Sequence, residues 1–242
     1  MNDDPGPEFA EFAGGGTTLM LHRDLAAHAV TLVERIEALR GSRERGAGGR
    51  ESVHRITLAG GMEIMVRRAL RGGMMRHLVS DLFVGLRARP LAELAVTVEA
   101  RRRKLPVADA VGAMVQWLAP IIYRGWFMTR PLSGMTLWEF VQADDDAAVR
   151  EHVLTAARES IADIQDGGLW HPDLNLQNLF VTKSGERFAV VILDLDKARL
   201  LDWPLQDGMR QHNALRLARS ARKLDPHGRY FDAKALSALG AG

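Results

Sequence analysis

The chain has 242 residues, of which 47% are apolar and 26% are charged, which is the balance of an ordinary globular protein. It contains no cysteine, which excludes a disulfide framework and any thiolate nucleophile or thiolate metal site, and which fits a reducing compartment. The net charge of +2 favours anionic partners without selecting one, and the basic residues form no recognised docking motif for nucleic acid. We therefore expect no nucleic-acid partner.

The sequence also carries no sign of export or of a membrane span. The first seven residues are acidic and rich in proline and glycine, so they predict no secretory signal. The most apolar stretch, residues 108–128, is interrupted by Asp109, Gln116, Pro120 and Arg124, so it predicts no membrane-spanning helix. We expect a cytoplasmic protein that contacts a membrane only at its surface.

Residues 1–45 predict a tail and one additional helix. The first 16 residues are interpreted as a flexible tail that ends in three glycines. Apolar residues then recur at helical spacing over residues 25–39, and Asp24 is placed to cap this helix. Residues 41–50 are rich in glycine and arginine and predict a loop.

Residues 46–129 predict a small antiparallel sheet with one important helix. Four short apolar runs predict strands, at residues 53–58, 62–67, 111–116 and 123–129. Ala59-Gly60-Gly61 predicts a tight turn between the first two of them. A proline at its start and one apolar face predict a helix over residues 90–105.

Residues 130–242 predict a mainly helical second domain. One helix is expected over residues 146–166, ended by Gly167-Gly168, and a basic helix over residues 210–224. Between them, short apolar runs at 179–182 and 189–193 predict a hairpin. The fold class is therefore α+β, with the boundary between the two halves near Arg130-Pro131.

The strongest chemical signal is HPDLNLQN at residues 171–178, which begins with His171. It provides a carboxylate at Asp173 and a carboxamide at Asn178, and the hairpin that follows ends in a second carboxylate, Asp194. Phosphoryl transfer from ATP needs one carboxylate to accept the proton of the attacking hydroxyl, and a carboxamide and another carboxylate to hold Mg²⁺. Because this order and spacing are typical of kinases, we expect a bilobal protein-kinase-like fold that uses ATP and Mg²⁺.

Each part of this pattern also has an ordinary structural explanation. His-Pro-Asp is common turn chemistry, and Asp194 and Asp196 are compatible with the solvated end of a strand. Taken alone, either group would be structural more often than catalytic. The joint order and spacing of the groups favour the kinase interpretation.

A weaker signal lies in the glycine-rich segment before the first predicted hairpin. Gly46, Gly48 and Gly49, followed by Val53, resemble the phosphate lid in which backbone amides approach a nucleotide. Glu51 stands where a third glycine is expected, and a carboxylate there would repel phosphate. A plain flexible loop is the alternative.

A kinase also needs a cation on the strand that follows, and a helix glutamate to orient it. The strand at 62–67 has no lysine, so Arg67 or Arg68 must supply the cation, and strand alternation allows only one of them to face the nucleotide. We predict Arg67, with Glu93 on the next helix as its partner. The alternative is that both arginines only end an edge strand.

Three parts of the chain resemble bacterial lipopolysaccharide kinases, especially the kinases of 3-deoxy-D-manno-octulosonic acid (Kdo). They are VRRALRGGMMRHL at 66–78, HPDLNLQNLFV with VILDLDKARL at 171–181 and 191–200, and NALRLARSARKL at 213–224. The likeness covers residues 46–224. Glu51 and the helix at 25–39 depart from the pattern expected of this family.

The resemblance implies transfer of the γ-phosphate of ATP to a hydroxyl of Kdo in the inner core of lipopolysaccharide. The partner would then be Kdo-lipid A or a related glycolipid. In that picture Asp173 is the catalytic base and His171 braces its loop. Asn178 and Asp194 are the magnesium ligands.

The resemblance also implies roles in the N-terminal half and at a membrane. Arg67 and Glu93 would form the phosphate-binding ion pair, and Thr129-Arg130-Pro131 would link the lobes beside the adenine. The glycolipid would lie at the cytoplasmic face of the inner membrane, whose anionic surface attracts cations, although cations on helices are usually solvated. The cations available for such a contact are Arg71, Arg76, Arg101, Arg102, Arg103, Arg216, Arg219, Arg222 and Lys223.

Two other functions remain open from the sequence. A small-molecule phosphotransferase of the same fold, acting on an aminoglycoside, choline or a similar alcohol, would have the same catalytic centre. A nucleotide-binding pseudokinase is favoured by Glu51 and by the missing strand lysine, whereas the joint presence of Asp173, Asn178 and Asp194 favours turnover.

Overall fold

A computed structural model describes residues 4–39, 53–69, 81–144 and 146–240. The chain divides into two compact units, the first containing Met1–Val98 and Asp109–Pro131, and the second containing Glu99–Ala108 and Leu132–Gly242. Both units combine helices with antiparallel strands, so the α+β class is confirmed.

Unit 1 is built on a seven-stranded antiparallel sheet with the order β1-β2-β6-β7-β4-β3, in which β5 also pairs with β7. Its strands are β1 Phe9–Gly14, β2 Thr17–His22, β3 Val53–Thr57, β4 Glu63–Arg68, β5 Phe83–Val84, β6 Ala110–Ala119 and β7 Ile122–Thr129. The predicted hairpin over residues 53–67 is confirmed as β3 and β4, joined by a 3₁₀ turn at Ala59–Gly61. The predicted strand pair at 111–129 is confirmed as β6 and β7.

Helices cover both faces of this sheet. A 3₁₀ helix, Arg23–His28, leads into α1, Ala29–Ala38, and Leu32 and Ile36 of α1 are buried in a cluster with strand residues such as Leu19 and Leu21. On the opposite face, α2, Arg89–Arg102, buries Leu94 and Val98 against Phe127 of β7. Because successive strand residues face opposite sides, one sheet supplies both clusters.

Two predictions for the N-terminal segment are wrong. Residues 9–14 are not a tail but the edge strand β1, paired with β2 from Phe9↔His22 to Gly14↔Thr17. Gly15 and Gly16 have φ values of 56° and 78°, so the glycine run forms the left-handed turn of a tight hairpin. Asp24 is not a helix cap, because it lies inside a 3₁₀ helix, Arg23–His28, whose N-cap is His22; Nδ1 of His22 accepts from the backbone N–H of Asp24 at 3.4 Å.

Unit 2 contains four helices and five short strands within the described residues. The helices are α3 Leu137–Ala143, α4 Ala147–Asp166, α5 Asp207–Leu224 and α6 Ala233–Ala238. The strands are β8 Gly134–Thr136, β9 Leu169–Trp170, β10 Leu179–Ser184, β11 Arg187–Ile192 and β12 Arg199–Leu200. They form a three-stranded sheet of order β11-β10-β8 and a separate β9–β12 pair.

The predicted C-terminal elements are confirmed with small shifts of their ends. Asp146 caps α4 through hydrogen bonds from the N–H groups of Ala148 and Val149, and Gly167 ends the helix. Ser160 of α4 donates to the carbonyl of Val190 in β11 at 2.8 Å, which joins the helix to the hairpin. Two loops then remain between short strands, residues 171–178 after β9 and residues 193–198 after β11.

No helix in the described part of the chain is long and apolar enough to cross a bilayer.

Candidate active site

The loop of residues 171–178 is held by its own amide side chains. The backbone carbonyl of Asp173 accepts hydrogen bonds from Nδ2 of Asn175 at 2.8 Å and Nδ2 of Asn178 at 3.2 Å. Oδ1 of Asn175 in turn accepts from the backbone N–H of Gln177 at 2.9 Å. Since the nitrogen end of the Asn178 amide holds the loop, its oxygen end is the end that can bind a metal ion.

A second set of hydrogen bonds joins this loop to the chain just before Asp194. The backbone N–H of Leu193 donates to the carbonyl of Asn178 at 2.8 Å, and the carbonyl of Leu193 accepts from Nε2 of His171 at 3.1 Å. The residue that follows, Asp194, has a φ of 61°, a left-handed conformation that is uncommon outside glycine. Such local strain is found most often at functional sites, where the surrounding contacts hold it in place.

His171 is almost fully enclosed, with 1% of its surface exposed. Burial lowers the pKa of His171, although its hydrogen bond to Leu193 and the nearby charges of Asp194 and Asp173 act in the opposite direction. The ring is therefore neutral near pH 7, and its Nε2 must carry the hydrogen because a carbonyl only accepts. Nδ1 has no hydrogen-bond partner among the described residues. His171 thus holds the backbone immediately before Asp194.

The carboxylate of Asp173 is bound by two cations. Nζ of Lys197 lies 2.8 Å from Oδ2, and Nη2 of Arg216 lies 2.9 Å from Oδ1. The hydrogen bond from Lys197 and the charges of Lys197 and Arg216 lower the pKa of Asp173, and they outweigh the opposing effect of partial burial. Asp173 is therefore ionised throughout the neutral range.

Sequence reasoning missed both of these partners. Lys197 was not singled out, although it stands three residues after Asp194 in the same short loop. Arg216 was grouped with cations available to a membrane surface, whereas it is committed to Asp173. The available signal was its place in the segment 213–224, which carries part of the family resemblance.

One face of α5 binds the loop of residues 171–178 at three points. Nε2 of His212 lies 3.2 Å from the carbonyl of Pro172, and Arg216 binds Asp173. Oγ of Ser220 accepts from the backbone N–H of Leu176 at 3.3 Å. His212, Arg216 and Ser220 are spaced by four residues, so they lie on one side of the helix.

In unit 1, the structure pairs Arg67 with Glu93. Nη2 of Arg67 lies 2.6 Å and 2.7 Å from the two carboxylate oxygens of Glu93, whose side chain is 4% exposed. The guanidinium also lies over the ring of Phe127, 5.6 Å from its centre. Arg68 bonds instead to Asp81, which also accepts from Arg124 at 2.7 Å. The alternation of β4 thus gives the two arginines different partners.

The register of the sheet places other predicted residues beside Arg67. Val53 of β3 and Phe127 of β7 are the direct neighbours of Arg67 in the adjacent strands, and Thr129 is the neighbour of Met65. Directly paired residues project from the same face of a sheet, so Val53, Arg67 and Thr129 share the face that α2 covers. Gly46, Gly48, Gly49, Glu51, Arg71 and Arg76 lie outside the described residues.

The oxygen groups of unit 2 fit the chemistry of Mg²⁺. Asn178 and Asp194 offer an amide oxygen and a carboxylate, which are hard ligands of the kind that Mg²⁺ takes. The described residues contain no group of three His, Asp or Glu side chains able to hold a metal ion alone.

Comparison with known proteins identifies the family. Residues 22–235 match the lipopolysaccharide kinase (Kdo/WaaP) family, and no curated protein matches the sequence. A solved structure titled "WaaP in complex with acyl carrier protein" has a TM-score of 0.60 and 18% sequence identity to this chain, over 93% of this chain and 89% of that one. At this identity the likeness shows a shared fold alone.

The family match also corrects one expectation from the sequence. It begins at residue 22 and therefore includes the helix at 25–39, which had been treated as a departure from the family pattern. The buried contacts of α1 with the sheet explain why this helix is part of the fold. The resemblance seen in the three sequence segments is confirmed, and this chain belongs to the lipopolysaccharide kinase (Kdo/WaaP) family.

Proposed function

We propose that this protein transfers the γ-phosphate of ATP to a sugar hydroxyl, and that the sugar is Kdo in the inner core of lipopolysaccharide. The observation that carries the proposal is a pair of hydrogen bonds at Leu193. Its N–H donates to the carbonyl of Asn178, and its carbonyl accepts from Nε2 of His171. These two bonds tie the loop that bears Asp173 to the strand end that bears Asp194. A base and two oxygen ligands in one hydrogen-bonded frame suit phosphoryl transfer.

In this proposal Asp173 is the catalytic base. It orients the acceptor hydroxyl and takes its proton while the acceptor oxygen bonds to the γ-phosphorus. The bond from phosphorus to the β–γ bridging oxygen breaks in the same displacement, and its electron pair leaves with ADP. The reaction depends on positioning and electrostatics, with no covalent enzyme intermediate.

Asn178 and Asp194 hold the metal ion in this proposal, and His171 positions Asp194 through Leu193. Mg²⁺ bound there would neutralise charge on the phosphates of ATP. Replacement of Asp194 by asparagine is expected to weaken the magnesium-dependent binding of nucleotide, because one anionic ligand is lost.

Residues 46–129 act as the nucleotide-binding lobe in this proposal, and residues 130–242 carry the catalytic centre. Arg67, oriented by Glu93, supplies the cation for the phosphates, and the bidentate reach of arginine suits phosphate as well as lysine does. Val53 and Thr129 lie on the same face of the sheet, which supports their assignment to the nucleotide site. Gly46, Gly48 and Gly49 would cover the phosphates.

The acceptor we propose is Kdo-lipid A or a related glycolipid. Membership of a lipopolysaccharide kinase family supports this choice. Because ATP is cytoplasmic and the acceptor is a membrane lipid, the protein would work at the cytoplasmic face of the inner membrane. Of the cations named above for such a contact, Arg102 and Arg103 pair with Glu99 and Arg216 binds Asp173. Contact with the anionic surface would therefore fall to other members of that set.

The test is phosphate transfer from ATP and Mg²⁺ to a Kdo-containing lipid A precursor, followed by mass spectrometry for one added phosphate. Asp173→Asn is expected to reduce kcat by about 10²–10⁴-fold, the range for loss of a general base. Asp163→Asn is the matched control, because Asp163 is an exposed carboxylate on α4 and should leave the rate unchanged.

Other outcomes would change the proposal in defined ways. Transfer to choline or an aminoglycoside, with none to the lipid, would keep the chemistry and overturn the acceptor. Magnesium-dependent binding of ATP without transfer to any hydroxyl would indicate a pseudokinase. Full activity of Asp173→Asn would refute the role given to Asp173.

A further inference from the structure

Asp173 is surrounded by more positive charge than its own carboxylate balances. Each of its two oxygens is bonded to a different cation, Oδ1 to Arg216 and Oδ2 to Lys197. One carboxylate and two cations leave this group with a net charge of +1. Both cations lower the pKa of Asp173 and so reduce its proton affinity. A role in proton transfer alone therefore does not explain them, whereas cations at this point suit an anionic substrate.

The two cations are held very differently. Arg216 projects from α5, and the turns before and after it are bonded to the same loop through His212 and Ser220. Its side chain is 32% exposed, against 56% for Lys197, so its guanidinium is the more enclosed of the two cations. We therefore expect Arg216 to remain bound to Asp173.

Lys197 is attached much more loosely. Its side chain is 56% exposed, and its one hydrogen bond within the described residues is the bond to Oδ2 of Asp173. Lysine is a compact charge on a flexible stem, so it can exchange one anionic oxygen for another at little cost. Of the two cations, Lys197 is the one able to leave.

The loop that carries Lys197 also carries Asp194. Lys197 follows Asp194 by three residues, and a hydrogen bond of 3.0 Å from Ala198 N–H to the carbonyl of Leu195 closes the turn between them. Under the proposed function the acceptor hydroxyl lies on Asp173 and the γ-phosphate lies beside that hydroxyl, so a cation 2.8 Å from Oδ2 of Asp173 would be near the transferring group. The exposed end of the side chain leaves it room to turn toward that group.

We propose that Lys197 is a catalytic residue that leaves Asp173 during the reaction and binds the transferring phosphoryl group, whereas Arg216 stays and positions Asp173. This inference rests on the proposed function. Asp173 takes the proton of the acceptor hydroxyl as the acceptor oxygen bonds to the γ-phosphorus and ADP leaves with the bridging oxygen. During the same displacement, Lys197 leaves Asp173 as that carboxylate becomes protonated, and it donates to a non-bridging oxygen of the transferring phosphoryl group.

A contact made only in the transition state affects kcat and not the binding of substrates. Lys197→Met is therefore expected to lower kcat by about 10²–10³-fold, the range for loss of one donor to a developing charge. The dissociation constant of magnesium-ATP and the KM of the lipid acceptor should change by less than about threefold. Lys197→Arg keeps the charge and should recover most of the rate.

The assay uses ATP, Mg²⁺ and the Kdo-containing lipid A precursor, with nucleotide binding measured separately by calorimetry. Lys183→Met is the matched control, because Lys183 is an exposed lysine of the same unit that lies over the ring of Phe188. Arg216→Lys tests the positioning role, since it retains the charge and should keep more activity than Arg216→Met. Melting temperatures check that each variant folds.

The outcomes separate this inference from the function on which it rests. If Lys197→Met turns over as fast as wild type or faster, Lys197 only covers Asp173 and the inference is wrong. If its kcat is unchanged but nucleotide binding is lost, Lys197 is a ground-state ligand and the inference is again wrong. If the wild-type protein transfers no phosphate while it binds ATP, the proposed function fails, and this inference fails with it.

Discussion

The neutrality of His171 gives a sharp prediction about stability and pH. The ring is 1% exposed, and the pKa of His171 is lowered in the folded state because burial disfavours the imidazolium. In the unfolded chain its pKa returns to about 6.5. A group with a depressed folded pKa contributes its full stabilisation above the unfolded pKa and loses it as the pH falls toward the folded pKa.

The size of the effect follows from proton linkage. Below pH 6.5, the unfolded state binds one proton at His171 that the folded state does not bind. The free energy of unfolding then falls by up to about 1.4 kcal/mol per pH unit until the folded pKa is reached. Protonation would also place a hydrogen on Nδ1, which has no acceptor among the described residues.

The measurement is urea unfolding at several pH values between 7.5 and 5.5, with a chelator present, for wild type and His171→Gln. Glutamine keeps an N–H donor for Leu193 but does not ionise, so wild type should lose stability relative to the variant as the pH falls. His152→Gln, which replaces an exposed histidine on α4, should behave as wild type does. Parallel curves for wild type and His171→Gln would refute the assignment of a buried, neutral ring.

Two further stability predictions concern other parts of unit 2. Burial raises the pKa of Asp225, but hydrogen bonds from the N–H groups of Phe231, Tyr230 and Arg229 lower it overall. Asp225→Asn should therefore cost about 1–3 kcal/mol at pH 7. Denaturant titrations should show that this loss persists down to the unfolded pKa of 3.8 and shrinks as the pH falls below it. Gly134→Ala should destabilise the protein by about 3 kcal/mol, because φ of Gly134 is 149° and an added Cβ would overlap the carbonyl of Val181. Gly208→Ala is the control, since an added Cβ there meets open space. Equal melting temperatures for these two variants would contradict the prediction.

Most of the secondary structure could be predicted because it follows local patterns. The helix at 146–166 has apolar residues on one face and a glycine pair at its end, and α4 occupies that range. The first strand could not be recognised in the same way. The run Gly14-Gly15-Gly16 is compatible both with a flexible tail and with a left-handed hairpin turn. Only the pairing of β1 with β2 in the folded protein distinguishes the two.

The residues of the candidate site also differ in whether a local sequence pattern identifies them. Asp173, Asn178 and Asp194 could be proposed because their spacing in sequence is itself a signal. Lys197 and Arg216 could not, since a cation is identified as the partner of a carboxylate only when the fold brings the two together. Arg216 is 43 residues from Asp173 in the chain, and no local pattern reports a contact over that distance.

The attachment of α5 to the loop of residues 171–178 has a consequence for synthesis of the protein. Every residue that the loop needs for its chemistry is translated before His212, Arg216 and Ser220, which hold it from the other side. A nascent chain that has emerged only as far as Lys197 would carry the proposed catalytic groups of this unit without the helix that orders them. Phosphoryl transfer should therefore begin only after α5 has left the ribosome, late in translation.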